Sequence, residues 1–157
     1  MQESVWDYPR PPALETVPES LKLYWQEHLV AETQAGWRVL ETSHPPVYYF
    51  PRSDVNTRFL KANPQKSFCE WKGNANYWDL IDPDTGTVVY AKWSWSYPDP
   101  TPRFADLKDA LAFYLKADVQ GFVGEELATP QPGEFYGGWV TSKIVGPFKG
   151  VPGSWGW

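Results

Sequence analysis

Two groups of residues carry the chemistry this chain could perform. The first is Glu41-x-x-His44. A carboxylate and an imidazole at this spacing offer acid/base groups, or two metal ligands if a helix brings them to one face. Pro45-Pro46 follows at once and bars that helix. Neither a metal nor another cofactor is therefore expected, and Glu41 and His44 stand as catalytic candidates, with Asp54 a further acid/base candidate. The second group mixes large rings with cations. Tyr48, Tyr49, Trp78, Trp93, Trp95 and Tyr97 offer apolar area with polar tips, and Arg38, Arg52, Lys72 and Lys92 lie within or beside the same runs. A cleft lined this way suits an amphipathic ligand with an acidic head. In that reading Tyr49, Trp78, Trp93, Trp95 and Tyr97 stack on the body. Arg52, Lys72 and Arg38 hold the head, while Glu41 and Tyr77 set polar orientation. The competing reading is plain: the rings fill a core and the cations are its solvated rim.

Other sites are poorly represented. There is no G-x-x-x-x-G-K-[ST], no G-x-G-x-x-G and no G-x-S-x-G. Asp82-x-Asp84 lies in Asp82-Pro83-Asp84-Thr85-Gly86, where Pro, Asp and Gly each supply turn geometry. The single Cys69 excludes an intrachain disulfide and a multi-cysteine zinc site, and reads as a small buried hydrophobe. Lys72, three residues on in the same expected strand, is assigned to the opposite face and so does not activate the thiol.

These residues need elements to hold them. Leu21 to Trp25, His28 to Thr33, Trp37 to Glu41 and Val47 to Phe50 read as short strands separated by turn signals. Glu41 ends a face that begins with Trp37 and Val39. Phe68 to Lys72 and Asn74 to Ile81 read as a hairpin around Gly73-Asn74. Ser53 or Asp54 is expected to cap one helical turn over Val55 to Leu60. Val88 to Tyr97 shows the clearest period-two alternation, with Val89, Ala91, Trp93, Trp95 and Tyr97 on one face. One amphipathic helix is expected from an N-cap at Thr101, with Pro102 at its first position and Phe104, Leu107, Leu111 and Tyr114 at helical spacing. Val119 to Val123 is the last core strand. The fold expected is mainly β: a small antiparallel rolled sheet or barrel with a central cleft and one short helix.

The 157 residues make one domain the prior, with residues 1–20 as a Pro-rich extended arm free of regular elements, 21–125 as the β domain, and 126–157 as a Gly/Trp-rich tail packed on it. Fourteen basic against 19 acidic residues give a net charge of −5, which argues against bulk nucleic-acid binding. No run of 18 apolar residues exists, so no membrane span is expected, and Met1 to Pro12 lacks the apolar stretch of a secretory signal. A cytoplasmic location follows as the expectation.

The blocks Glu41-Thr-Ser-His-Pro-Pro-Val-Tyr-Tyr-Phe-Pro-Arg-Ser-Asp-Val55, Cys69-Glu-Trp-Lys-Gly-Asn-Ala-Asn-Tyr-Trp78 and Trp95-Ser-Tyr-Pro98 resemble a mostly bacterial domain family of unknown function, number four hundred and twenty-seven, also labelled nucleotidyltransferase-like. The resemblance covers about residues 20–125 and implies a compact β-rich barrel with a central cleft. The usual nucleotidyltransferase pattern, a Gly-Ser turn followed by paired acids, is not met: Gly153-Ser154 has no acids after it. The leading expectation is a binding domain for a small amphipathic anion, such as a prenyl phosphate. The alternatives are an enzyme acting on a nucleotide or phosphorylated metabolite, and a protein-interaction module built on the Trp-rich tail.

Overall fold

Alternation of apolar and polar residues turns into strand pairing along 47% of the chain. The computed structural model describes residues 2–157. Its strands, numbered β1 to β15 along the sequence, form five small sheets, mostly antiparallel, that do not close into a barrel. The fold is thus mainly β and poor in helix. One four-stranded sheet has the order β10-β9-β8-β7, from Ala112–Phe113 (β10), Val88–Ser96 (β9), Gly73–Ile81 (β8) and Leu60–Cys69 (β7). The other has the order β12-β11-β3-β4, from Glu126–Leu127 (β12), Val119–Val123 (β11), Leu21–Trp25 (β3) and His28–Thr33 (β4). Ala13–Thr16 (β2), Trp37–Leu40 (β5) and Val47–Tyr49 (β6) form a three-stranded sheet with β5 in the middle. Two pairs complete the set: Glu3–Ser4 (β1) beside Ile144–Val145 (β15), and Thr129–Pro130 (β13) beside Trp139–Val140 (β14).

Leu21, Leu23 and Trp25 alternate inward from β3 and meet Phe50, Trp93, Phe113 and Trp139 in the larger core. A second core forms behind the three-stranded sheet, from Val39, Tyr49, Trp95, Tyr97, Phe104 and Leu107. Burying each such large side chain is worth about 1.5–3 kcal/mol.

Five local expectations are corrected. The prolines do not keep regular structure out of the first twenty residues: β2 starts after Pro12 and ends before Pro18, and it pairs with β5. The expected amphipathic helix shrinks to a 3-10 segment, Pro102–Leu107, kinked at Phe104. Leu111 and Tyr114 do not continue it, because Ala112–Phe113 pairs with β9 instead; Thr101 is its N-cap residue and Pro102 its first position as expected, with the Thr101 hydroxyl donated to the Trp71 carbonyl at 2.6 Å. The helical turn expected over 55–60 is two 3-10 turns, Arg52–Asp54 and Thr57–Phe59, the second capped by Asn56. The hairpin's first strand starts earlier than expected, at Leu60; its Pro64 is tolerated on an edge strand, beside the register shift between Asn63 and Lys66. Finally, a bulge interrupts β9. Leu80 pairs with Tyr90 and Trp78 with Ser94, so Asp79 alone opposes three residues. Asp79 Oδ1 accepts from the Lys92 N–H at 2.8 Å, and Lys92 adopts a φ of 53°. Ala91 is turned out to solvent by this bulge, while Trp93 and Trp95 stay buried.

Candidate functional site

β5 and β6 present their odd-numbered residues to one face. Val39, Val47 and Tyr49, with Glu41 just past the strand end, line a cleft of about 360 Å³. The β7–β8 turn supplies Cys69 and Lys72; β8 and the end of β9 supply Tyr77, Trp95 and Tyr97. The remaining wall comes from the tail: Gln131, Phe135, Tyr136, Gly137 and Lys149. Glycine at 137 is required by close approach, since a Cβ there would lie 2.2 Å from Trp95 Cη2.

Six of the ten residues expected to bind a ligand therefore meet here: Glu41, Tyr49, Lys72, Tyr77, Trp95 and Tyr97. Of the catalytic candidates, His44 joins Glu41. Four expected binding residues lie elsewhere. Arg38 opens onto the other face of the same sheet and bonds Glu3 and Glu15, the latter at 2.8 Å. Arg52 donates Nε–H to the Asp109 carbonyl at 3.1 Å and lies over the Trp78 ring. Trp78 itself donates to Ser96 Oγ at 3.1 Å. Trp93 is fully buried, with its indole N–H on the Tyr114 carbonyl and its ring against Phe113. Asp54 accepts the Thr33 hydroxyl at 2.7 Å, outside the cleft.

Cys69 and Lys72 share this cleft and do not face apart. The chain turns between them, with the Lys72 N–H on the Cys69 carbonyl at 3.2 Å, so strand alternation no longer applies. Cys69 is partly exposed. Lys72 is half-buried, and no carboxylate lies within 4.0 Å of its ammonium among the described residues. Its Nζ stands 5.8 Å from the centre of the Tyr97 ring. Burial disfavours the ammonium, but its acidic neighbours, the Glu41 carboxylate among them, outweigh that and raise its pKa, so Lys72 is a cation at neutral pH. Tyr49 and Tyr97 are pushed upward by burial and stay neutral.

Gln131 fixes the state of His44. The Gly138 N–H donates to Gln131 Oε1 at 3.1 Å, and Gln131 Nε2 donates to the Lys149 carbonyl at 2.8 Å. The same Nε2 lies 3.0 Å from His44 Nδ1, so Nδ1 must accept. The imidazole proton is then on Nε2, which faces Glu41 Oε2 at 3.7 Å. Burial lowers the His44 pKa; Glu41 opposes this, but Lys149, Arg10 and Lys72 add to it, so the ring is neutral at pH 7. With Nδ1 occupied, His44 has no free lone pair for general-base work, and any such work falls to Glu41. Sequence reading missed Gln131 and Lys149, which lie 87 and 105 positions from His44; the only local signal was the ring-flanked Gly137-Gly138.

A helix-poor antiparallel scaffold with one aromatic-walled, cation-bearing cleft defines the class. The chain belongs to the family described as a domain of unknown function (DUF427), whose profile matches residues 13–125. The wall formed by residues 131–149 lies beyond that stretch. No curated protein matches the chain. Among the described residues no helix is long and apolar enough to cross a membrane.

Proposed function

We propose that the cleft binds a small amphipathic anion, its apolar body against Trp95, Tyr77 and Tyr114 and its acidic head at Lys72. The observation that carries this reading is Lys72: a half-buried ammonium without a carboxylate partner, set among rings, in a chain of net charge −5. Buried cations are ordinarily paired, and one left open is a ready anion site. The volume lies at the small end of ligand pockets and suits a short isoprenyl chain carrying phosphate or carboxylate. Nucleotidyl transfer has less support, since no three His, Cys, Asp or Glu side chains converge among the described residues in the way a metal-assisted transfer needs. Titration calorimetry with geranyl phosphate and geranic acid tests the proposal. Binding of either that falls at least tenfold in Lys72→Gln, but not in the exposed Lys66→Gln, supports it; absence of binding by both sinks it.

A further inference from the structure

The donors of the cleft narrow the head group, an inference that rests on the binding reading above. Lys72 is not the only open cation. Lys149 lines the same cleft from the tail, stands 5.8 Å from the centre of the Tyr136 ring, and likewise has no carboxylate within 4.0 Å among the described residues. The single lining carboxylate, Glu41, faces Arg10 at 3.9 Å, which offsets its charge. Two positive charges are left over.

Tyr49 is a closed part of the wall. It is only 1% exposed, yet it lines the cleft. Its oxygen accepts from Trp95 Nε1 at 3.2 Å. Its hydroxyl also hydrogen-bonds the Tyr97 side chain. The cleft thus offers two ammonium groups with no carboxylate within 4.0 Å among the described residues.

We propose that the cleft selects a phosphate monoester dianion over a carboxylate of the same body, with Lys72 and Lys149 on its terminal oxygens. A phosphate monoester carries about −1.5 to −2 charges at pH 7 and three strong acceptor oxygens. A carboxylate carries one charge on two oxygens and leaves one lysine uncompensated. The same head group comes from an isoprenyl alcohol or from a nucleoside, so both bodies belong in the test. Lys149 lies outside the family-matched stretch, so this selectivity would be a property of the longer chain.

The experiment is calorimetric titration of the full chain with geranyl phosphate, geranic acid and adenosine monophosphate. Geranyl phosphate is expected to bind about tenfold or more tighter than geranic acid at pH 7.5. Lys149→Gln, checked for unchanged thermal unfolding, is expected to erase most of that preference by weakening geranyl phosphate several-fold more than geranic acid. The ratio of the two affinities should climb from pH 5.5 to 7.5, as the phosphate loses its second proton near pH ~6. Glu41, His44, Cys69, Lys72, Lys149 and Arg10 surround the head and act on both ligands, so their titration largely cancels in the ratio. Equal affinity of phosphate and acid, or a preference that survives Lys149→Gln, overturns the selectivity and leaves the binding reading standing. Binding by neither overturns both. Adenosine monophosphate binding as tightly as geranyl phosphate would uphold the phosphate head and assign the body to a nucleoside.

Discussion

Arg38 and Val39 are neighbours in β5 and open onto opposite faces of one three-stranded sheet. On the Arg38 face a smaller cavity, about 210 Å³, holds Glu3, Glu15, Glu19 and Glu126 against Arg38 and Lys143. Its half-buried guanidinium bridges Glu3 and Glu15, and Tyr8 donates its hydroxyl to Glu3 at 2.7 Å. Burial works against the Arg38 charge, but the two carboxylates outweigh it and raise its pKa. Burial also works against the Glu3 carboxylate, and its bonds from Arg38 and Tyr8 outweigh that and hold its pKa below the usual range. On the Val39 face the cations are open: Lys72 and Lys149 face rings and a cavity. Both faces contain charges taken partly out of water, and they solve that problem differently. Where each charge is satisfied within the chain, the arrangement holds the N-terminal segment to the sheet. Where it is not, the proposed anion would complete it.

The difference can be broken at its largest effect first. Arg38→Ala strips two carboxylates of their partner and is expected to cost about 2–4 kcal/mol. In a chain of this size that lowers Tm by roughly 5–15 °C, read by thermal unfolding. Ligand affinity of the folded variant should stay unchanged; lost binding with intact stability would reverse the roles of the two faces. Lys72→Gln is the mirror experiment. Binding should weaken at least tenfold while unfolding in urea shifts by no more than about 0.5 kcal/mol.

Gly137→Ala probes how tightly the tail wall is pressed on Trp95. The added Cβ would sit 2.2 Å from Cη2, so the wall must retreat, at a cost of about 1–2 kcal/mol and with weaker binding. Unchanged binding would mean that the tail is dispensable to the cleft. The smallest effect is in pH dependence, and it separates the faces by window. His44 has a folded pKa below its ordinary 6.5, so the unfolded chain takes the proton first. Stability is then highest above pH 6.5 and falls as pH drops toward the folded value, at no more than about 1.4 kcal/mol per unit. Glu3 is held below its ordinary 4.5, so its contribution is present above pH 4.5 and is lost as pH falls through the folded value. His44→Gln should flatten only the first window and Glu3→Gln only the second, measured as urea midpoints at pH 7.5, 5.5 and 3.5. A His44→Gln curve parallel to that of the parent would refute the buried neutral imidazole.

The strands were largely legible. Leu21–Trp25 alternates as expected, His28–Thr33 and Val88–Ser96 are strands without keeping strict alternation, and Asp82 takes its turn role, accepting from the Asp84 N–H at 2.9 Å. Alternation also put Trp37, Val39 and Glu41 on one face of β5, and the same rule places Arg38 on the other. The 3.6-residue spacing of Phe104, Leu107 and Leu111 misled because a free strand edge beside β9 captured Ala112–Phe113. Trp93 and Trp95 look alike in the stripe, yet one fills the main core and the other floors the cleft, a distinction set by which sheet packs above each.

What the amino-acid order determined alone is what neighbours decide: period-two strands, Pro/Gly turns, a mainly β fold and a surplus of rings beside a few cations. Side-chain direction flips with each residue, so a short stretch suffices to read it. Which cation is neutralised and which stays open was left to the tertiary structure. Glu3 reaches Arg38 across 35 positions, and Gln131 reaches His44 across 87. Such meetings depend on how separate sheets and the tail come together, and no local pattern encodes them.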